Sequence, residues 1–200
     1  VFAMPETAIG LFPDVGASYL LSRLPKGIGM YLALTGKTIN AFTAYKLGLV
    51  KYIIPDASVQ NCIQKLINLL PSKNLLNDID ACLQLFHVNT ENEFLPVDNI
   101  EKCFTKSSLK EIINALSNLN NEWAQQILKI FQICSPMSLK VTFLQIQQAK
   151  HKDLVSCLAM DKQLVNHFVQ GHDFYEGVRA MLIDKDKTPH WQPSTLEEVT

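Results

Sequence analysis

Apolar and polar residues alternate at helical spacing through most of this chain, most regularly after residue 55. Positions three and four apart are apolar in these runs, which places them on one face of a helix. Several of the runs end at a glycine or a proline, as helices commonly do. In chain order, the pattern predicts helices over 15–24, 27–35, 41–47, 57–70, 75–86, 122–133 and 153–170, and further helices that start at Ser108, Ser135 and Asp173.

Two segments depart from this helical pattern. The stretch LVKYII, residues 49–54, is rich in β-branched and aromatic residues and is followed by Pro55, which predicts a strand. Residues 87–104 are polar and irregular, which predicts a loop or an insertion. The first three residues resemble the end of a buried strand, so we expect further sequence to precede them. The pattern therefore predicts a short α/β part followed by a long helical part.

Composition indicates a soluble globular protein and argues against several partners. With 48% apolar residues, the 200 residues can bury a sizeable core in one large domain or two small ones. The net charge is −1 and no basic stripe occurs, which argues against nucleic acid and anionic membranes. The five cysteines are widely spread without a C-x-x-C pair, which predicts reduced thiols in an intracellular compartment.

Most motifs for catalysis or metal binding have no counterpart in the sequence. The five histidines lack the H-E-x-x-H and H-x-x-x-H spacings, so no metal site is predicted. Ser18, in GASYL, lacks the second glycine of a G-x-S-x-G elbow, and no glycine-rich phosphate loop occurs. His172 and Asp173 could form an acid–base pair, but Asp173 with Glu176 is better explained as a helix-capping box.

Two carboxylates stand out because they lie in the most apolar neighbourhood of the chain. Glu6 and Asp14 occur in MPETAIGLFPDV, residues 4–15, where each directly follows a proline. In one interpretation, Asp14 caps the following helix and Glu6 forms an ion pair at a strand end. In the other, poor solvation raises the pKa of a carboxyl group and makes its ionised form a stronger base or nucleophile. One acid could then attack or activate water while the other holds a polar substrate group.

Longer stretches of the sequence resemble a known family. AMPETAIGLFPDVG (3–16), LALTG (32–36) and GLV (48–50) closely resemble the crotonase, or enoyl-CoA hydratase/isomerase, superfamily. Within it, SPMSLKVT, GHDFYEGVRAMLIDKD and PHWQP are similar to the C-terminal motifs of the 3-hydroxyisobutyryl-CoA hydrolase branch. General hydratases usually lack both an acid at position 14 and the D-K-D…W-x-P tail, which makes these motifs specific to the branch.

The resemblance implies roles for both acids, in catalysis and in substrate binding. Glu6 matches the catalytic glutamate, which in this branch is thought to attack the thioester carbonyl and form a mixed anhydride that water then opens. Asp14 matches the branch's second acid, which binds the substrate's 3-hydroxyl and assists proton transfer. Ala17 and Ser18 stand where the branch usually has two glycines, which leaves acyl-chain preference open.

The same resemblance implies a fold in three parts. The expected fold class is α/β, with the C-terminal part of a crotonase-like ββα spiral core in 1–70 and a helix plus an irregular connecting segment in 71–105. A helical region in 106–200 follows. The backbone donors of the family's oxyanion hole are expected upstream of Val1, so the 200 residues alone are expected to be incomplete for catalysis.

The expected activity is hydrolysis of a short 3-hydroxyacyl-CoA, chiefly 3-hydroxyisobutyryl-CoA in valine degradation. The partner is an acyl-CoA substrate, with CoA arriving as part of it and no metal or other cofactor needed. The C-terminal helices are a candidate surface for homo-oligomers. The expected compartment is the mitochondrial matrix, or the cytoplasm in a bacterium.

Two alternative functions stay open at this point. One is hydration or isomerisation of an enoyl-CoA, against which Asp14 argues. The other is a non-catalytic structural subunit of a larger assembly such as a mitochondrial ribosome, against which the retention of both acids in their full sequence context argues.

Overall fold

The computed structural model describes residues 1–69, 74–92 and 94–199, and these are mainly helical. A 3-10 turn covers Glu6–Ile9, and a π-helical turn covers Arg179–Ile183 at the end of the last α-helix. In chain order the α-helices of the described residues are α1 (Ala17–Leu21), α2 (Ile28–Thr35), α3 (Ala41–Lys46), α4 (Asp56–Ile67), α5 (Leu75–Gln84), α6 (Val97–Phe104), α7 (Leu109–Leu119), α8 (Glu122–Ile133), α9 (Pro136–Ala149), α10 (Leu154–Phe168) and α11 (Asp173–Val178).

The chain divides into two compact units. The first unit is Val1–Phe2 with Ile39–Leu95, and it contains α3, α4 and α5. The second unit is Ala3–Thr38 with Pro96–Thr200, and it contains the other helices and both candidate acids. The division into 1–70, 71–105 and 106–200 stays a prediction.

The predicted strand over 49–54 is wrong, because this segment of the first unit is irregular, with bends at Leu49 and Lys51. Its backbone forms single hydrogen bonds instead of a ladder with a neighbouring strand. The Ile53 amide donates to Nδ1 of His87 at 3.0 Å, and the Ile53 carbonyl accepts from the Val88 amide at 2.9 Å. Within the described ranges, the pairing of Phe2 with Ile39 is the one isolated β-bridge. A sequence with β-propensity becomes a strand only where a neighbour completes the ladder.

Helix α2 lies at the centre of the second unit. All eight of its residues are buried, as expected for IGMYLALT, which is apolar on every face. It packs against α1, α6, α8 and α9. The ring of Tyr31 meets Phe104 edge-on with centroids 5.3 Å apart, and it lies 6.0 Å from the ring of Trp123. These contacts make α2 the core around which the other helices assemble.

The predicted loop over 87–104 is wrong in its last eight residues, where the chain forms α6. Ile100, Cys103 and Phe104 are buried at spacings of three and four residues, so α6 has one apolar face. Charged residues between them obscured this pattern in the sequence.

The predicted caps of two helices are confirmed. The Ser108 hydroxyl caps α7 by accepting from the Glu111 amide at 3.2 Å, and Ser135 caps α9 with Pro136 at its start. The five cysteines, Cys62, Cys82, Cys103, Cys134 and Cys157, are free and buried. No single helix in the described ranges is long and apolar enough to cross a membrane. Helices α8 and α9 reach that length and composition only as a pair bent by 113°.

The 3-10 turn and α11 approach each other so closely that only glycine fits between them. A Cβ at Gly177 would lie 2.2 Å from the carbonyl oxygen of Ile9, well inside van der Waals contact. That oxygen belongs to the backbone and cannot rotate away. Gly177 therefore sets the distance between α11 and the turn that starts at Glu6.

We expect Gly177→Ala to lower the free energy of unfolding by about 3 kcal/mol, because the added methyl forces the two backbones apart. The control is Gly171→Ala, where the nearest heavy atom would be 3.4 Å away and the change should stay within about 1 kcal/mol. Urea unfolding of the native-length protein measures both. An equal loss of unfolding free energy in the two variants would contradict the close approach of α11 to the 3-10 turn at Gly177.

Candidate active site

Glu6 and Asp14 lie near the two ends of one irregular stretch in the second unit, residues 5–16, which we call the acid segment. It begins with the 3-10 turn and ends where α1 begins. Side chains and backbone groups from helices far along the chain hold it at several points. The position of each acid is therefore set by distant residues.

Thr7 fixes the Glu6 end of the acid segment. Thr7 is 1% exposed, and its carbonyl oxygen accepts a hydrogen bond from the Ser135 amide at 3.1 Å. Its hydroxyl donates to the Leu34 carbonyl at 3.4 Å, and the Cys134 thiol donates to it at 3.6 Å. These bonds join the turn to α2 and to the start of α9.

Asp173 binds the side chain of Ser135, the residue whose amide donates to Thr7. Its carboxylate is buried and accepts from the Ser135 hydroxyl at 2.5 Å and from the Gln192 amide at 2.8 Å. Nδ1 of His172 lies 3.2 Å from the same carboxylate. The prediction that Asp173 caps a helix is therefore wrong: the N-cap of α11 is His172, without a side-chain cap bond. Asp173 instead links α9 to the C-terminal tail.

Asp14 does not cap α1, so the first half of the structural interpretation is wrong. The N-cap is Gly16, where no side chain accepts a helix amide. The Asp14 carbonyl accepts from the Ala17 amide at 2.9 Å. Among the residues that the structure describes, the Asp14 carboxylate forms no hydrogen bond or ion pair. It is free to bind another group.

Glu6 forms no ion pair within the described residues, so the second half of that interpretation is wrong as well. Its Oε2 atom is buried without a hydrogen-bond partner there. Burial raises the pKa of Glu6 from its ordinary 4.5 to about 7, and the charge of Asp14 adds to the rise, while the backbone amide of Glu6 opposes it. Near neutral pH the group therefore exchanges readily between carboxylate and acid.

The Asp14 end of the segment is held by helices α9 and α10. Phe12 is fully buried and meets Phe168 of α10 edge-on, with ring centroids 5.2 Å apart. Nε2 of Gln145 donates to the Pro13 carbonyl at 2.9 Å. An aromatic contact and a buried hydrogen bond thus fix the chain just before Asp14.

Just after Asp14 the backbone is strained. Val15 has φ of 51° and Gly16 has φ of 79°, so two consecutive residues adopt the left-handed conformation. Glycine does so freely, but a β-branched residue at such a φ costs about 1–3 kcal/mol. Val15 is 78% exposed, so packing does not compensate this cost.

Asp161 binds the strained turn at Val15 and Gly16. Asp161 was not identified as a candidate residue from the sequence. Its Oδ2 accepts from the Gly16 amide at 2.8 Å, and its Oδ1 accepts from Nε2 of Gln145 at 2.9 Å. A signal was present in the sequence, because Asp161 shares a helix face with Cys157 and Phe168, which are buried core positions. An acid on an apolar helix face indicates a specific buried partner.

The arrangement can support reactions at an electrophilic carbon. A carboxyl group with a pKa near 7 can act as a base or, when ionised, as a nucleophile, and the Asp14 carboxylate can accept a hydrogen bond from a substrate hydroxyl. In the parts of the chain that the structure describes, no group of three or more His, Cys, Asp or Glu side chains could hold a metal ion.

The sequence matches the enoyl-CoA hydratase/isomerase family over residues 1–200. It is 42% identical over 204 residues to "3-hydroxyisobutyryl-CoA hydrolase, mitochondrial" of Dictyostelium discoideum and 38% identical over 208 residues to the human protein of that name. Both matches cover 100% of this chain and 53% of the relative. The chain therefore spans about half the length of the curated relatives it matches.

Two solved structures share the fold. A carnitinyl-CoA dehydratase from Mycobacterium thermoresistibile is 29% identical with a TM-score of 0.85, and the match covers 99% of this chain and 56% of that one. An enoyl-CoA hydratase from Rhodobacter sphaeroides is 31% identical with a TM-score of 0.81, covering 98% and 55%. The mainly helical chain thus has crotonase-like fold neighbours.

The raised pKa of Glu6 predicts a pH-dependent gain in stability for Glu6→Gln. Because folded Glu6 holds its proton more tightly than the unfolded chain does, wild-type stability falls as pH rises from 4.5 to about 7. Glu6→Gln lacks this titration. Its unfolding free energy should therefore increase relative to wild type across that window and then level off, which urea unfolding at a series of pH values measures.

Glu111→Gln is the control with the opposite sign. Hydrogen bonds from Ser107 lower the pKa of the exposed Glu111 carboxyl. Wild type should therefore be more stable than this variant at neutral pH, and the difference should vanish in acid. A Glu6→Gln difference that is the same at every pH would argue against a raised pKa at Glu6.

Proposed function

The chain belongs to the enoyl-CoA hydratase/isomerase family, and on that basis we propose that it hydrolyses the thioester of a short 3-hydroxyacyl-CoA, with 3-hydroxyisobutyryl-CoA as the main substrate. The observation that carries the proposal is that the acid segment holds two acids with side-chain oxygens that have no hydrogen-bond partner among the described residues. Glu6 has a buried, unpartnered oxygen, and the Asp14 carboxylate makes no hydrogen bond or ion pair to the described residues. The relatives named 3-hydroxyisobutyryl-CoA hydrolase support this choice of substrate.

In the proposed reaction Glu6 is the nucleophile. Its carboxylate attacks the thioester carbonyl carbon, the carbon–sulfur bond breaks, and CoA leaves as the acyl group becomes a mixed anhydride with Glu6. Water then adds to the anhydride, which releases the 3-hydroxy acid and restores the Glu6 carboxylate, while the remaining proton of the water protonates the CoA thiolate. Poor solvation of Glu6 strengthens its ionised form for the first step.

Asp14 has the second role in this proposal. Its carboxylate accepts a hydrogen bond from the substrate's 3-hydroxyl group, which fixes the acyl chain relative to Glu6. It also assists the proton transfer that accompanies the attack of water. An acid eight residues from the nucleophile therefore selects acyl groups that carry a hydroxyl.

The wider setting of the reaction is part of the same proposal. We place residues 1–70 in a ββα spiral core and assign the oxyanion hole to backbone amides of the native-length protein outside these 200 residues. The mechanism uses no metal or other cofactor, and CoA enters with the substrate. Because the animal and Dictyostelium relatives are named as mitochondrial, we propose the mitochondrion as the compartment.

Hydration of an enoyl-CoA is the second candidate function. One of the two solved structures with the same fold is named as an enoyl-CoA hydratase and the other as a dehydratase. That reaction needs an acid and a base but no anhydride, so Glu6 could serve it. Asp14 is the feature that favours hydrolysis, since it provides an acceptor for a hydroxyl that an enoyl group lacks.

We expect the native-length protein to release CoA from 3-hydroxyisobutyryl-CoA and not to hydrate crotonyl-CoA. Glu6→Gln should lower the rate of CoA release about 10³-fold or more, because an amide cannot form the anhydride. A thiol-reactive dye measures the release. The matched control is Glu111→Gln, an exposed residue of α7 that should keep full activity.

Hydration of crotonyl-CoA without CoA release would favour the second candidate. Substantial CoA release by a correctly folded Glu6→Gln variant would disprove the role assigned to Glu6.

Asp14→Asn should lower kcat/KM for 3-hydroxyisobutyryl-CoA about 10- to 100-fold, since it replaces a charged acceptor by a neutral one. For isobutyryl-CoA, which has no 3-hydroxyl, the loss should be smaller. The ratio of kcat/KM for the two substrates measures the contribution of the hydroxyl. A ratio that the variant leaves unchanged would show that Asp14 does not bind this group.

A further inference from the structure

One buried carboxylate outside the proposed reaction contacts the backbone of the acid segment. Asp161 of α10 is 5% exposed and forms no ion pair with the described residues. Burying an unpaired carboxylate is unfavourable unless amide donors replace the lost water. Its two partners are the Gly16 amide and Nε2 of Gln145.

The chemistry of these partners requires a carboxylate. Both partners donate, so the residue at 161 must accept on each of its two side-chain atoms. Asparagine has only one acceptor atom and would turn an N–H group toward one of the donors. Aspartate is therefore the residue of this size that satisfies both bonds.

The two bonds connect the backbone on both sides of Asp14. Gln145 binds the Pro13 carbonyl and Asp161 together, and Asp161 binds the Gly16 amide. Asp14 is thus enclosed between two fixed backbone groups, although its own carboxylate is free. Val15, with its strained φ, lies between the hydrogen-bonded residues Pro13 and Gly16. The turn would therefore relax if these hydrogen bonds were removed.

We propose that Asp161, acting with Gln145, is a positioning residue that keeps the Asp14 carboxylate in place for the hydroxyl of the substrate. The role of Asp14 in this inference rests on the function proposed above. Asp161 contacts no reacting atom and acts through the backbone of residues 13–16. Loss of Asp161 should therefore resemble loss of Asp14, with a larger effect on substrates that carry a 3-hydroxyl than on those that lack it.

The test compares wild type, Asp161→Asn, Asp14→Asn and the double variant in the native-length protein. Asp161→Asn should lower kcat/KM about tenfold for 3-hydroxyisobutyryl-CoA and by a smaller factor for isobutyryl-CoA. In the Asp14→Asn background the same substitution should cost little, because the group that it positions is already gone. Hydrogen exchange of the Gly16 amide should become faster in Asp161→Asn.

Two further variants separate positioning from folding. Asp153→Ala removes the N-cap of the same helix, where Asp153 Oδ1 accepts from the Ser156 amide at 2.8 Å. It should reduce stability without changing the ratio of the two substrates. If Asp161→Asn does not fold, Gln145→Met removes the donor to Pro13 and to Asp161 with little change of volume and should give the same substrate-dependent loss.

The inference is overturned if Asp161→Asn slows both substrates equally, if its effect multiplies that of Asp14→Asn, or if exchange of the Gly16 amide stays unchanged. A wild-type protein that releases no CoA would instead disprove the proposed function. Binding measured by calorimetry would then decide on Asp161. A preference for the 3-hydroxyacyl-CoA that is lost in both Asp14→Asn and Asp161→Asn would support positioning, and its persistence in Asp161→Asn would overturn it.

Discussion

The structure of the second unit depends on hydrogen bonds to an irregular backbone from partners far along the chain. Between the 3-10 turn and α1, the acid segment has no helix or sheet to satisfy its buried amides and carbonyls, and unpaired groups of this kind cost about 1–3 kcal/mol each. Gln145 reaches Pro13 across 132 residues, and Asp161 reaches Gly16 across 145. The backbone on both sides of Asp14 is therefore held only in a chain in which α9 and α10 are folded.

The C-terminal motif that resembles the hydrolase branch contributes to this scaffold rather than to the acids directly. Arg179 binds Glu176 and also Asp184 and Asp186, the two aspartates of D-K-D, which closes the chain after α11 into a compact turn. Arg179 and the amide of His190 lower the pKa of Glu176 to about 2, so this carboxylate stays ionised and paired. The motif thus orders the tail that reaches Asp173, which in turn holds Ser135 behind the Glu6 turn.

The sequence predicted best what local chemistry decides. Helix α8 has the predicted bounds of 122–133, and the caps at Ser108 and Ser135 form as expected, because spacing and capping act within one turn of chain. The aspartates at 14 and 173 were each interpreted as caps by the same local rules, and both interpretations are wrong. Asp173 is bonded to groups 19 and 38 residues away, which no local pattern reveals. The apolar helix face of Asp161 indicated a buried partner, but that partner, the Gly16 amide, lies 145 residues away and could not be identified from the sequence.

Three departures from ordinary structural rules lie in the acid segment or contact it. Among the described residues, a carboxylate oxygen of Glu6 is buried without a partner and the buried Asp161, which binds the Gly16 amide, has no counter-ion. Val15 adopts a conformation that suits glycine. Each feature is unfavourable alone, and the buried bonds of Thr7, Pro13 and Gly16 offset part of the cost. A segment whose only role was structural would gain stability by replacing these groups. Their occurrence together, in the segment that carries both acids and in the residue that binds it, is what favours a functional site over a purely structural one.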